Sequence, residues 1–222
     1  MRRLCLGLCV ISLAACGGGS GGRLYFGGSL VDPAPDGSIS GLTAAETRIL
    51  SDADLGGVAY GFGPSNQALR QSAGSTAGDS GFFAVAGLVG APDVGGLPVS
   101  GRATMDGTYE VVRVTGVSQS ANPANWTSSY EDGDVTVSVV FGEDEGAGNK
   151  IRATARSDDG RLVVRNIDIR SVTDGRITNG DVRYRGSSGF IEGELGADGM
   201  VAAIAGSGNN AIFAGGIVAE TR

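Results

Sequence analysis

From residue 99 to 220 the chain reads as short alternating segments cut by Asp-Gly pairs, a punctuation that restricts it to an antiparallel β fold. Asp106-Gly107, Asp159-Gly160, Asp174-Gly175 and Asp198-Gly199 each offer the positive φ of a tight hairpin turn. Between and around them the pattern predicts strands over 99–105, 108–117, 134–141, 150–156, 162–172, 176–185, 189–195, 200–206 and 211–220. Val135, Val137, Val139 and Phe141 share one face, against Thr136, Ser138 and Val140 on the other. Val163, Ile167 and Ile169 oppose Asn166, Asp168 and Arg170, with Arg165 interrupting the apolar side, and Phe213, Gly215 and Ile217 share a face near the end. An apolar face and a wet face on each strand is the pattern of an antiparallel sheet. So many strands leave two open edges unless the sheet closes on itself. Ala202, Ala203, Ala205, Gly206, Ala214, Gly215 and Gly216 suit a narrow barrel whose last strands make room for bulky partners. The expected fold is therefore all-β, an antiparallel up-and-down barrel of about eight strands over 81–222.

A short irregular, partly β segment over 23–80 is expected to precede the barrel. Tyr25 and Phe26 begin a strand, and residues 57–62 form another. Thr43-Ala44-Ala45-Glu46 has capping-box spacing and predicts a helical turn or two up to Leu50. Residues 65–71 give a second short helix, capped by Ser65. The forty glycines among 222 residues lack a collagen-like triplet period and alternate with β-branched residues, which suggests many short strands and tight turns in a single domain of ordinary size.

The first residues carry a different signal. Arg2 and Arg3 precede an apolar run over 4–13, which ends in Leu13-Ala14-Ala15-Cys16. Charged start, short apolar core and small residues at the cleavage point make a signal peptide, and the closing cysteine makes it a bacterial lipobox. The run is shorter than the ~20 residues of a spanning helix. Residues 1–15 are expected to be removed and Cys16 to carry lipid, with 16–22 as a Gly-rich tether. Two or three acyl chains would hold the protein on a bilayer without crossing it. Gly17 stands where an aspartate commonly retains Gram-negative lipoproteins at the inner membrane, so the outer membrane is the expected site, on its surface or its periplasmic face.

Loss of the leader removes Cys5 and Cys9, which leaves no free thiol and no disulfide once Cys16 is acylated. The chain has no histidine. Removing Arg2 and Arg3 takes the net charge from -7 to -9, because no acidic residue precedes Cys16. That balance argues against nucleic acid as a partner and against adhesion to anionic lipid. No cofactor is expected.

Two serine motifs lack their chemistry. Gly18-Gly19-Ser20-Gly21-Gly22 matches a nucleophile elbow, but a tether supplies neither the strand nor the helix that the elbow needs. Gly78-Asp79-Ser80-Gly81 is spelled like a protease nucleophile in a chain without histidine to act as base. Glu131, Asp132 and Asp134, and Glu143, Asp144 and Glu145, are clustered carboxylates. They read as solvated turn residues, as oxygen ligands for Ca²⁺, or, for Glu131 and Asp134, as an acid and a base. Arg161, Arg165, Arg170, Arg176, Arg183 and Arg185 crowd neighbouring strands, Arg183 and Arg185 on the face of Asp181. They either pair across strands with Asp168 or Glu192 or grip a carboxylate or phosphate ligand. Trp126 and Tyr130 lie in a long connection, as binding anchors or as a cap on the open end of the barrel.

Leu97-Pro98-Val99-Ser100-Gly101-Arg102-Ala103-Thr104-Met105-Asp106-Gly107-Thr108-Tyr109 is similar to the segment that opens the β-barrel domain of bacterial transferrin-binding protein B and its relatives. Residues 133–142 resemble that family's next signature, and residues 204–217 resemble its closing strands. Met105 stands where the family has an aromatic, and Val140 where it has aspartate. The full family members have two lobes, each with a handle domain that carries much of the host contact, whereas this chain has room for one barrel. The resemblance implies an eight-stranded, lipid-anchored barrel and stops short of transferrin itself. The expected function is a binding lipoprotein for an unidentified protein or small molecule, anchored by outer-membrane lipid. Its candidate contact residues are Trp126, Tyr130, Glu143, Asp144, Asn209 and Asn210. The alternatives are a carboxylate-dependent envelope enzyme and a structural envelope lipoprotein.

Overall fold

The computed structural model describes residues 25–64, 66–73, 81–117, 125–142, 151–169, 175–208 and 210–222. The first part forms β1 (Tyr25–Leu30), β2 (Thr47–Asp52), β3 (Gly56–Pro64), α1 (Gln67–Ser72) and β4 (Gly81–Val89). The second part is β5 (Gly101–Thr115), β6 (Thr127–Phe141), β7 (Arg152–Ser157), β8 (Leu162–Ile169), β9 (Arg176–Tyr184), β10 (Ser187–Leu195), β11 (Gly199–Gly208) and β12 (Ala211–Thr221). Each of these eight strands pairs antiparallel with the next, and β12 pairs back onto β5, so the expected up-and-down barrel closes.

The barrel interior is filled with side chains. Val135, Val137, Val139 and Phe141 point inward from β6, and Leu162, Val164, Ile177, Ile191, Leu195, Met200 and Ile204 meet them from the later strands. Tyr109, Tyr184 and Phe213 form an aromatic layer near one end, with ring centroids 6.1 and 5.4 Å apart. This end, called the mouth below, is where the β5–β6, β7–β8, β9–β10 and β11–β12 connections lie.

The four strands β1-β4-β3-β2 form a separate sheet, with β1 parallel to β4. The expected barrel start at residue 81 thus moves to Gly101, and strand 81–89 belongs to this sheet. The segment read as irregular supplies its other three strands. The reason lies on the barrel's outer wall. Val201, Ala203 and Ala205 of β11, and Ile212, Ala214 and Val218 of β12, point outward, and all are buried. Val58, Tyr60, Ala84 and Ala86 of the sheet cover them. Half of the small residues on β11 and β12 therefore serve sheet docking rather than the barrel interior. Gly216 faces Val58, where a Cβ would sit 2.7 Å from that of the valine, and a side chain at Gly28 would run into the backbone of Gly206 and Phe213. The other side of the sheet buries Ile39, Leu69, Phe83 and Val85 under α1 and the 31–43 loop.

Several local expectations change. Residues 99–105 and 108–117 are parts of one strand. Asp106 and Gly107 stay extended inside β5, and Gly107 lies against the β12 backbone at Ala219, a close approach rather than a turn. Thr43 and Glu46 make the capping-box contacts, Thr43 N–H and Oγ1 each donating to Glu46 Oε2 at 2.8 Å, but the chain enters β2 instead of a helix. The second helix forms, with Asn66 as its cap: its Oδ1 accepts from Leu69 N–H at 2.9 Å. On β8 the inward residues are Leu162, Val164 and Ile167, while Val163 faces out. Asn166, at φ 50°, forms a bulge that resets the alternation by one residue. A tight turn absent from the sequence reading joins β9 to β10, with Arg185 and Gly186 at φ 46° and 81°.

Gly216→Val is expected to destabilise the protein by about 1–3 kcal/mol, because the sheet must move off β12 to admit the side chain. Chemical denaturation measures this, and a midpoint equal to wild type would contradict the docking geometry.

Candidate functional site

The polar groups that converge most closely among the described residues lie at the mouth. Odd-numbered residues of β5 and β6 point inward there, which brings Tyr109, Arg113, Ser129 and Glu131 onto the rim. Tyr184 is the last residue of β9, and the β9–β10 turn presents Arg185 beside it. The Glu131 carboxylate accepts from Tyr184 Oη at 2.8 Å, Arg185 Nε at 2.6 Å and Ser129 Oγ at 3.1 Å. Arg161 approaches the same carboxylate at 3.7 Å and pairs with Asp159 at 3.1 Å. Asp159 closes the ring by accepting from Tyr109 Oη at 3.0 Å and Ser157 Oγ at 2.7 Å.

Burial pushes the Glu131 carboxyl up, but hydrogen bonds from Tyr184, Arg185 and Ser129 and the charge of Arg185 outweigh it and hold the group below the usual carboxylate range. Asp159 is likewise held low: burial raises it, and the hydrogen bonds from Ser157, the Arg161 backbone and Tyr109 prevail. Tyr109 is pushed up to about 12 by burial and by its bond to the Asp159 carboxylate. Tyr184 is raised for the same reasons, with Glu131 as its partner. The network thus fixes two neutral phenols against two carboxylates. Arg113 adds a cation to the rim, and its buried Nε has no hydrogen-bond partner among the described residues.

The sequence-predicted contact residues are not brought together. Trp126 is half-buried, edge-on to Phe82 of β4 with centroids 4.7 Å apart. Tyr130 lies between Tyr60 and Phe62 of β3, with the Arg48 guanidinium 3.5 Å above its ring. Both project outward from the β5–β6 hairpin and fasten it to the sheet, so they are neither free loop anchors nor a cap over the barrel. Such a cation–π contact contributes about 0.5–1 kcal/mol at an exposed site. Asn210, at φ 59°, holds the β11–β12 turn, where its carbonyl accepts from Gly116 N–H at 3.1 Å. Cys16, Glu143, Asp144 and Asn209 lie outside the described residues. The strand ends that flank Glu143 and Asp144 are at the barrel end opposite Trp126.

Glu131 and Asp134 face opposite sides of β6, one in the mouth network and the other exposed, so they do not form an acid–base pair. Among the described residues no three Asp, Glu, His or Cys side chains gather as a metal site. The arginines divide. Arg161 and Arg185 join the mouth, Arg176 pairs with Glu192 at 2.7 Å, and Arg165 and Arg183 stand on the outer wall; Arg170 lies outside the described residues. Sequence reasoning missed Tyr109 and Tyr184, whose phenols look like ordinary core residues until the turns bring acids to them. It also missed Tyr60, which donates to Glu110 of β5 at 2.5 Å across the sheet–barrel seam.

In comparisons with known proteins, no family model and no curated protein sequence matches the chain.

The depressed Glu131 and Asp159 favour the folded state above the ordinary carboxylate values of 4.5 and 3.8. That contribution is lost as pH falls through their lower folded-state values. Glu131→Gln is expected to cost about 1 kcal/mol or more at neutral pH and to flatten the loss of stability below pH ~4. Denaturation midpoints across pH test this; equal acid sensitivity in wild type and variant would refute it. At the alkaline end, the ultraviolet phenolate titration is expected to show Tyr109 ionising near 12 instead of its ordinary 10.

Proposed function

We propose that the protein is a lipid-anchored outer-membrane binding lipoprotein, with a barrel related to that of transferrin-binding protein B, which engages its partner through outer surfaces. The observation that carries this reading is the polarity of the barrel. Its interior is apolar and filled, and its outer wall carries Arg152, Arg156, Arg165 and Arg183 where the sheet does not cover it. A membrane-spanning barrel needs the reverse, an apolar belt outside and a polar lumen. Among the described residues no helix is long and apolar enough to cross a membrane. A protein of this build stays at a membrane only through a separate anchor, and the Leu13-Ala14-Ala15-Cys16 lipobox would supply one.

The filled interior also argues against a ligand carried inside, as small-molecule barrels do. Clefts on the outer surface remain. One of about 320 Å³ runs between the sheet and the barrel, with Asp32, Pro33 and Leu88 on one wall and Arg176, Glu192 and Glu194 on the other. A sheet docked on a barrel leaves clefts at the seam, and such surface clefts favour capture of a partner over catalysis. The mouth network supports the same role, as both of its carboxylates are held below their usual range by several donors and so are poor proton donors.

Wild type is expected to incorporate labelled palmitate and to fractionate with the outer membrane, and Cys16→Ser is expected to do neither. Absence of label on the wild-type protein, or equal labelling of the variant, would overturn the anchor and the localisation built on it.

A further inference from the structure

The barrel wall opposite the docked sheet concentrates positive charge in a chain of net charge -7. The sheet lies on β11 and β12, and around the barrel β7 is three strands from β12 and β8 three strands from β11, so both lie on the far wall. Arg152 and Arg156 of β7, Arg165 of β8 and Arg183 of β9 all project outward there. Net charge therefore says little about what this wall attracts.

Within the wall, Arg165 and Arg183 line a groove of about 370 Å³ together with Val163, Asn166, Asp181 and Ser188. Val163 is opposite Arg183 and Arg165 is opposite Asp181, so the two arginines are diagonal neighbours on one face. Diagonal positions lie about 7–8 Å apart, within reach of long side chains that close on one group. Asp181 would be the natural partner of Arg165, directly across the ladder. Instead its Oδ2 accepts from Asn166 Nδ2 at 2.6 Å. Asn166 reaches it from the bulge, in a left-handed conformation that a non-glycine residue adopts at a cost. Neither Arg165 nor Arg183 meets an ion-pair or hydrogen-bond partner among the described residues, and Arg156, one strand further on, is in the same state.

The geometry points to an oxyanion-binding groove on the barrel wall, in which Arg165 and Arg183 grip a phosphate monoester and Ser188 offers a hydroxyl. Guanidinium groups match phosphate oxygens two bonds at a time, which is the advantage of arginine over lysine at such a site. The bulge has a definite part: Asn166 engages the Asp181 carboxylate, which stays anionic but makes no ion pair with Arg165, so the guanidinium donors of Arg165 and Arg183 are left for a ligand. Arg156 extends the positive surface toward whatever carries the phosphate. The inference names a ligand class for the binding role proposed above and rests on that role. Its test is separate, since palmitate labelling reads the anchor and the following titration reads the groove.

The full chain, purified in a neutral detergent, is titrated by calorimetry with inorganic phosphate, with dihexanoyl phosphatidic acid and with dihexanoyl phosphatidylcholine. The expected result is saturable binding of phosphatidic acid, none of phosphatidylcholine, and affinity at least about tenfold weaker in the Arg165→Gln/Arg183→Gln variant, the scale of a lost charge-assisted bond. Arg102→Gln, whose arginine is exposed on β5 away from the groove, is expected to bind as wild type does. Groove-dependent binding of phosphatidic acid in preference to inorganic phosphate identifies a lipid headgroup as the source. Groove-dependent binding of inorganic phosphate alone supports the same site with a soluble source. Binding that survives the double variant, or no binding of either phosphate, overturns the proposal. Equal thermal midpoints of the double variant and wild type establish that a loss of binding is not a loss of fold.

Discussion

Two strands of the barrel are buried on both faces over most of their length. β11 and β12 press Met200, Ala202, Ile204, Phe213 and Ile217 into the barrel, and Val201, Ala203, Ala205, Ile212 and Ala214 against the sheet. An exposed antiparallel strand alternates apolar and polar residues, but a strand covered on both sides becomes continuously apolar. Here it is also small, because two layers must approach the same backbone. Gly28, Gly206 and Gly216 mark the points of closest approach. The remaining contacts between sheet and barrel build outward from that seam: the Tyr60–Glu110 hydrogen bond, Phe82 on Trp126, and Arg48 over Tyr130. With no disulfide available to the described residues, this burial takes the place of a covalent staple.

Covering one side of the barrel also sorts its surfaces. The sheet removes β11 and β12 from solvent, the filled interior removes the lumen, and what remains for a partner is the opposite wall, the mouth and the cleft beside the sheet. Charge follows the same division. The outward arginines Arg152, Arg156, Arg165 and Arg183 lie on β7, β8 and β9, while Asp52, Asp54, Asp198 and Glu220 gather at the end away from the mouth. There Glu220 is raised by its contact with Asp52, the reverse of the depressed carboxylates of the mouth, where tyrosines and arginines donate.

The barrel was legible because its strands follow one another in sequence, so local alternation and turn chemistry carry the topology. The Gly160 and Gly175 turns adopt the positive φ that their Asp-Gly spelling suggests. Asp106-Gly107 has the same spelling and opposite use, since glycine also serves where two backbones nearly touch, and sequence alone does not distinguish the two. The sheet was hard to read for a related reason. Its β1–β4 pairing is parallel and joins residues more than fifty positions apart, with no turn to announce it. The outward apolar residues of β11 and β12 did hold the clue: a run without alternation, beginning at Met200, signals two covers. The candidate site was the least legible. Trp126 and Tyr130 look like loop anchors until β3 and β4 arrive beneath them, and the mouth network depends on phenols and turn residues far apart in the chain. On β8 the bulge at Asn166 shifts the alternation, so Val163 faces out although Ile167 stays inward as the sequence suggests.

The central claim is that sheet and barrel are one cooperative unit, held by the doubly buried strands. Trp126 is the only tryptophan and sits on the seam, so its fluorescence reports the sheet's contact while far-ultraviolet circular dichroism reports the strands as a whole. Equilibrium unfolding followed by both signals tests the claim directly. Coincident transitions are predicted. A tryptophan transition completed at lower denaturant, with the β signal largely intact, would show the sheet leaving a barrel that stands without it, and would contradict the account.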